Sequence, residues 1–371
     1  VAESFGYETT KGDLDYDAYR APDHIATPEE RDYIARDVLI GAKAMREVLD
    51  AGMKKLTVAS DALAEYKALT GKDHFTRLFP ILPEIMDTEI RRAYRGGFTY
   101  SDPRYRSKKV GAGIVLDVNS LYPSVMRKEL LPYGYPEYVS GKVEPTERKP
   151  LTIFSVTFVA KLKPNHIPCI QIKSSNIFSP TDYLIEIAEP TTIMTTNVDW
   201  KLYNDHYDIT VLAYGGGWRF KATAGLFDGY IDKWSEIKAK ESGGKREIAK
   251  LHLNSLYGKF ATNPNVTSKY PILDEDGAVK YKRGADEKRD PIYTAMGVFI
   301  TAYARDLTIR AAQANYGIFA YADTDSLHLI SDDWVIGKDE FGKDTLLNPP
   351  SGIEVHAKKL GAWKFEYSFT D

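Results

Sequence analysis

Residues 321–330 read YADTDSLHLI: a run of strand-forming residues turns back on itself around Asp323 and Asp325. Extended, the segment puts both carboxylates on one face; as a hairpin it crowds them at one tip. At about 5 Å they repel by roughly 1 to 3 kcal/mol for an effective dielectric between about 80 and 20. A divalent cation removes that cost, and Mg²⁺ prefers oxygen ligands from one or two carboxylates plus phosphate. A turn or capping pair is the plainer reading. The metal reading gains force from Asp117, which closes a second apolar strand, 114–116, behind Gly111 and Gly113, with Pro123 early in an expected helix. Side by side, the two segments would gather three acids around one or two metal ions, which can activate an attacking oxygen and stabilise a leaving one. Asp117 by itself also suits a helix N-cap after a strand.

The remaining pattern predicts an α+β fold, a sheet carrying carboxylates plus a separate helical unit. Thr27 is a candidate N-cap for a helix over 27–53, with Pro28 and Glu29 in its first turn and Ile34, Val38, Ala42 and Met45 at helical spacing. Residues 151–223 are mostly strand-like, with GGG at 215–217 read as a turn. Leu226, Tyr230, Ile231, Trp234 and Ile237 form an apolar stripe on a helix that ESGG breaks. A second helix follows over about 245–257, so the pair predicts a helical hairpin; another helix, 300–314, precedes the acidic turn. On the second helix Arg246, Lys250, Asn254 and Tyr257 occupy one sector, with Lys238 across the break. That row could grip a triphosphate and present an amide and a ring to base and sugar. It could equally be an exposed polar face, bordered by Leu253.

Composition limits the alternatives. With 371 residues, 43% hydrophobic and 27% charged, the chain has the make-up of a soluble protein of two or three domains. No apolar run approaches a membrane span, and Val1 opens neither a signal nor a transit peptide; the missing Met predicts an internal fragment or a processed product. Cys169 is the only cysteine, which excludes an intramolecular disulfide and Cys-based zinc sites, so a reducing, cytoplasmic setting is expected and Cys169 reads as a strand residue. The seven histidines show no metal-ligand spacing, and neither GGGWRF nor GGKREIA has phosphate-loop spacing. A net charge of −3 argues against a purely electrostatic nucleic-acid binder. Cations nevertheless cluster at 102–109, 237–250 and 281–289, and the 25 tyrosines suit base stacking beside phosphate contacts, or simply a tyrosine-rich core under a charged surface.

Three stretches carry a resemblance. DVNSLYPSVM (117–126), KLHLNSLYGKF (250–260) and YADTDS (321–326) resemble, in the right order, the palm and fingers motifs of family B DNA polymerases. YRGGFT (94–99) and TAYAR (301–305) narrow the likeness to the protein-primed polymerases of phages with linear genomes. The resemblance implies that Asp117 and Asp325 are metal ligands, with Asp323 assisting and the Val118 carbonyl completing the shell around two Mg²⁺ ions that Mn²⁺ can replace. It implies that Tyr122 stacks under the sugar and rejects a ribose 2′-hydroxyl, and that Lys250, helped by Lys238 and Arg246, holds the triphosphate. Asn254 and Tyr257 would shape the base-pair pocket. Tyr94, Gly96 and Gly97 would bind primer or template, and Thr301 and Arg305 would contact the template. From residue type alone, Gly96 and Gly97 also read as a loop bend, Thr301 and Arg305 as helix surface, and Tyr122 as a core tyrosine.

The domain plan this implies is an exonuclease remnant at 1–55, a linker at 56–110, palm at 111–164, an insertion at 165–225 and fingers at 226–264. A second insertion at 265–288 and the rest of the palm at 289–371 complete it, without a thumb. The insertions would contact a priming terminal protein, and encircle the template during strand displacement. The partners implied are primer-template DNA, dNTPs and the terminal protein, with the polymerase itself monomeric. Tyr33 and Asp37 match the last exonuclease element only, so no 3′–5′ exonuclease is expected from this chain; nucleotide binding with poor primer extension is expected. Two rivals share the Asp-x-Asp chemistry or the missing ends: a metal-dependent nucleotide-sugar glycosyltransferase, and a non-catalytic DNA or terminal-protein binding module.

Overall fold

The computed structural model describes residues 1–21, 23–172, 183–275 and 277–370. In chain order, α1 (Ala2–Phe5), α2 (Pro28–Asp50), α3 (Val58–Thr70), α4 (Lys72–Leu78) and α5 (Glu84–Arg91) precede β1 (Thr99–Ser101), β2 (Gly113–Val118) and α6 (Leu121–Lys128). Next come β3 (Leu131–Val139), β4 (Leu151–Leu162), β5 (Glu186–Thr196), α7 (Asn197–His206) and β6 (Tyr207–Thr223), then α8 (Asp228–Lys240) and α9 (Gly243–Phe260). The hairpin β7 (Asn265–Leu273) and β8 (Val279–Lys288) leads to α10 (Thr294–Ala314), β9 (Phe319–Asp323) and β10 (Ser326–Ile330). The chain closes with β11 (Ile336–Lys338), β12 (Asp344–Leu346) and β13 (Trp363–Phe369). Among the described residues no helix is long and apolar enough to cross a membrane.

Contacts divide the chain into two units, residues 1–71 with 227–256, and residues 72–226 with 257–371. The first is helical. The expected hairpin forms as α8 and α9, and α3 packs on it, with Tyr66 stacked on Phe227 and His252 on Trp234 at 3.9 Å between ring centres. Glu65 accepts from Trp234 Nε1 and from Lys233. Thr27 and Glu30 complete a capping box on α2. The face that α2 buries differs from the expected one: Tyr33 and Ile40 are covered, whereas Ile34, Val38, Ala42 and Met45 lie exposed. Which stripe turns inward depends on what packs there, and here Phe5, Tyr7 and Ala44 gather on Ile40.

The second unit holds a five-stranded antiparallel sheet, β1-β9-β10-β2-β13, and a four-stranded sheet, β3-β6-β4-β5. Alternation explains the first. Leu116, Ala322, Leu327 and Leu329 are fully buried on one face, and the alternating residues Asp117, Asp323, Ser326 and His328 take the open one. α10 begins at Thr294, six residues before expectation, and is buried along most of its length against α5, α6 and α7. Two strand expectations are corrected. Residues 215–217 are no turn, since β6 runs through them paired to β4, and Gly217 lies so close to Ile153 and Phe154 that a side chain there would meet backbone. Residues 197–206 are helical rather than strand-like, because Thr196 caps α7 by accepting from Asp199 N–H at 2.9 Å. The strand expected near Cys169 forms only an isolated bridge at Gln171, and the part of that insertion over 173–182 lies outside the described residues.

His206 ends α7, with Nδ1 at 2.8 Å from the Ile167 carbonyl, and burial pushes its imidazole down to about 4. A lowered folded-state value means that the neutral ring is favoured in the folded protein. Stability is therefore complete above the ordinary value of 6.5 and falls as pH drops from there through about 4. The loss amounts to about 3 kcal/mol at the acid end. Urea titrations at several pH values should show this slope, and His206→Gln should flatten it.

Candidate active site

The acidic turn is built on a strained residue. Asp323 ends β9, Ser326 opens β10, and Thr324 between them takes φ +58°. For a β-branched residue this left-handed conformation costs about 1–2 kcal/mol. Several hydrogen bonds hold it, among them one from the Thr324 hydroxyl to Asp323 Oδ1 at 3.3 Å. Asp325 N–H donates to the Asp323 carbonyl at 2.6 Å, and Thr324 N–H to the Phe98 carbonyl at 2.7 Å. The Thr308 hydroxyl donates to the Thr324 carbonyl at 2.8 Å, and the Thr99 hydroxyl to Asp323 Oδ1 at 2.9 Å. Gly97 packs against the Thr324 side chain, where an added Cβ would sit 2.5 Å from its oxygen. Gly96 has open space instead, so only the second glycine is required by packing.

Register decides how the carboxylates relate. Ser326 pairs with Asp323 on one side and with Asp117 on the other, and Thr99 and Lys364 extend the row. Directly opposed residues share a face. Asp117 and Asp323 therefore face the same way but stand two strand spacings of about 4.8 Å apart. Among the described residues no three His, Cys, Asp or Glu side chains gather closely enough to hold a metal ion. Asp323 is thus set apart from Asp117: β10 intervenes, and the Thr99 hydroxyl engages the Asp323 carboxylate. Asp325 is the nearer partner for the second segment, since its carbonyl accepts from Val118 N–H at 2.8 Å. Asp117, Asp325 and the Val118 carbonyl offer only oxygen donors, which suits a hard divalent cation completed by phosphate.

Beyond β2 the chain is again held in the left-handed region, at Ser120 (φ +55°), before α6. Asn119 anchors this link, donating from N–H to the Ala362 carbonyl at 2.9 Å and from Nδ2 to the His356 carbonyl at 2.7 Å. α6 then carries Tyr122 against Tyr257, stacked at 4.0 Å between centroids and 24° between planes. Both rings are half-buried. Burial pushes the Tyr122 phenol well up, and Tyr257, Tyr94 and Asp325 add to the effect. Burial likewise raises Tyr257 and Tyr94. Tyr122 and Tyr257 thus each lie within electrostatic reach of Tyr94 and Asp325, all four singled out in the sequence.

Thr301 and Arg305 are corrected. Thr301 is fully buried, and its hydroxyl bonds back to the Gly297 and Val298 carbonyls of α10. The Arg305 guanidinium is buried with all its donors spent. It meets Asp199 through Nε at 3.1 Å and Nη2 at 2.8 Å, and gives Nη1 to the Arg95 and Gly96 carbonyls at 2.6 and 2.8 Å. No donor remains for a phosphate, so Arg305 shapes the 94–99 loop from within. Sequence reading missed Asp199, although Thr196 and Asp199 form a capping pair at the spacing that marks a helix start. It also missed Thr99 and Thr308, for which spacing carries no signal.

In the helical unit Arg246, Lys250 and Asn254 line the exposed sector of α9, opposite buried Ile248, His252 and Leu256, and Lys238 is half-buried on α8. Arg246 pairs with Glu247 at 3.3 Å. On α2, Tyr33 and Asp37 are joined by Lys11, which the sequence did not single out. Its ammonium lies 3.7 Å from Asp37 and 5.2 Å from the Tyr33 ring centre.

Known proteins with this sequence and fold point one way. The family described as DNA polymerase type B, organellar and viral, matches residues 1–333. The DNA polymerases of Bacillus phages B103 and phi29 are 45% and 43% identical over the whole chain, which spans 62% of their length. That of Streptococcus phage Cp-1 is 34% identical over 86% of the chain and 58% of its own length. The phi29 enzyme complexed with primer-template DNA and incoming nucleotides superposes with a TM-score of 0.84 at 43% identity, covering 100% of this chain and 63% of that one. The binary complex with primer-template DNA gives 0.87 at 43% identity, covering 100% of this chain and 62% of that one. The open-faced acidic sheet, its strained turns and its tyrosine stack thus sit in a chain that belongs to the type B DNA polymerases of organelles and viruses.

Proposed function

We propose that this chain carries the polymerisation centre of a template-directed DNA polymerase, joining dNTPs to a primer by metal-assisted nucleotidyl transfer. The observation that carries the reading is the bond from Val118 N–H to the Asp325 carbonyl, which sets the acidic turn beside the end of the strand that carries Asp117, with Asp325 in reach of the stacked Tyr122 and Tyr257. Solved relatives hold primer-template DNA and incoming nucleotide, which supports the same substrates here.

In this reading the Asp117 and Asp325 carboxylates and the Val118 carbonyl hold two Mg²⁺ ions, replaceable by Mn²⁺. Bound there, such ions lower the pKa of an attacking hydroxyl and neutralise a departing pyrophosphate. Asp323, tied to Thr99, keeps the turn in shape. Lys250, with Arg246 and Lys238, answers the triphosphate charge, as cationic clamps do in phosphoryl transfer. Asn254 and Tyr257 border the nascent base pair, and Tyr94, Gly96 and Gly97 meet the DNA strand. At initiation the attacking hydroxyl comes from a terminal protein, contacted by the 165–225 insertion, while 265–288 follows the template during strand displacement. The enzyme acts as a monomer in the cytoplasm of a phage host.

Tyr122 provides the test, because its ring leaves no room for a 2′-hydroxyl. In primer extension by the complete protein, Tyr122→Val should raise ribonucleotide use about 10²-fold relative to dNTPs, the scale at which one steric contact discriminates. A protein that transfers sugar from a UDP-sugar donor, and adds no dNTP to a primer, would refute the reading.

A further inference from the structure

α10 carries four buried polar side chains, Thr294, Thr301, Arg305 and Thr308, and the last three stand at i, i+4 and i+7. A buried helical threonine ordinarily returns its hydrogen to a carbonyl one turn back, and Thr301 does so. Thr308 does not. Its hydroxyl, with a single hydrogen to give, donates at 2.8 Å to the carbonyl of Thr324, 16 residues away in the acidic turn. Thr324 is the one residue of that turn in the left-handed region, and its N–H is held from the other side by Phe98. The next residue is Asp325, whose carbonyl meets Val118. Thr308 therefore grips the peptide that aims the Asp325 side chain, from a helix too deeply packed to yield.

We propose that Thr308 is a positioning residue for the Asp117–Asp325 cation site, its hydroxyl holding Thr324 in the conformation that presents Asp325 to the metal. The proposal rests on the reading of that pair as a metal site, and the test separates the two. Mn²⁺ alone is titrated into the 371-residue chain, with free Mn²⁺ followed by electron paramagnetic resonance. The wild-type chain should show a saturable site that Asp117→Asn and Asp325→Asn abolish. Thr308→Val should weaken it about tenfold, Thr308→Ser should restore it, and adding Thr324→Gly to Thr308→Val should recover most of the loss, since glycine holds φ > 0 unaided. Thr152→Val is the control: that threonine is fully buried and its hydroxyl has no hydrogen-bond partner, so Mn²⁺ binding should not change. A merely structural role for Thr308 predicts no rescue by glycine. Wild-type affinity in Thr308→Val, or a double variant as weak as the single one, overturns the proposal. No site in the wild-type chain sinks the metal reading and the proposal together. If circular dichroism shows Thr308→Val unfolded, Thr308→Ala takes its place with the same outcomes.

Discussion

Asp117→Asn and Asp325→Asn should each lower nucleotide addition by the complete protein about 10³-fold or more, roughly 4 kcal/mol of transition-state stabilisation. The amide keeps the shape and removes the charge, so the loss reports on ion binding rather than on packing. Asp323→Asn should cost far less, about tenfold, because Thr99 already engages its carboxylate. Stability should move the other way. Without metal the acids of the turn repel, so either substitution should leave the metal-free melting temperature unchanged or raise it slightly. Single-turnover incorporation set beside calorimetry of the apo chain checks both signs. Full activity in Asp325→Asn would remove that carboxylate from the mechanism.

The second large effect concerns folding. Asp199→Ala should destabilise the sheet-bearing unit by about 3–5 kcal/mol, because it leaves the Arg305 guanidinium buried without its counter-ion. Urea unfolding should show this as a lower midpoint with an unchanged slope. Exchanging both partners for apolar residues, Asp199→Leu with Arg305→Met, should restore much of the stability, since no charge is then stranded. The double variant should still bind DNA less well than wild type, as nothing then fixes the Arg95 and Gly96 carbonyls. If Asp199→Ala melts as wild type does, the ion pair contributes nothing and the loop is held by other means.

Local chemistry explains why much of this was readable beforehand. The β9–β10 hairpin follows from a period-two pattern interrupted by a polar turn, and α8–α9 from a 3.6-residue stripe broken at ESGG. Asp117, Asp325 and Tyr122 stood out because their neighbours repeat a long motif. Failures occurred where a signal was local but overlooked, or was never local. α7 belongs to the first kind, announced by the Thr196–Asp199 cap. The passage of β6 through three glycines belongs to the second, because its reason is the nearness of Ile153 and Phe154. So does the stripe of α2 left exposed, which periodicity marks as apolar without saying what will cover it.

Residue order alone determined α2, the α8–α9 hairpin, the acidic hairpin, the oxygen-donor residues and the family, since each depends on neighbours within a few positions or on an unbroken motif. Order could not tell that β10 separates Asp323 from Asp117, that Arg305 spends every donor inside the protein, or that Thr308 reaches the turn from a distant helix. Those outcomes follow from strand register and helix docking. Both are fixed by apolar surfaces closing on one another across long loops, and only then do hydroxyls and guanidinium find the carbonyls they hold.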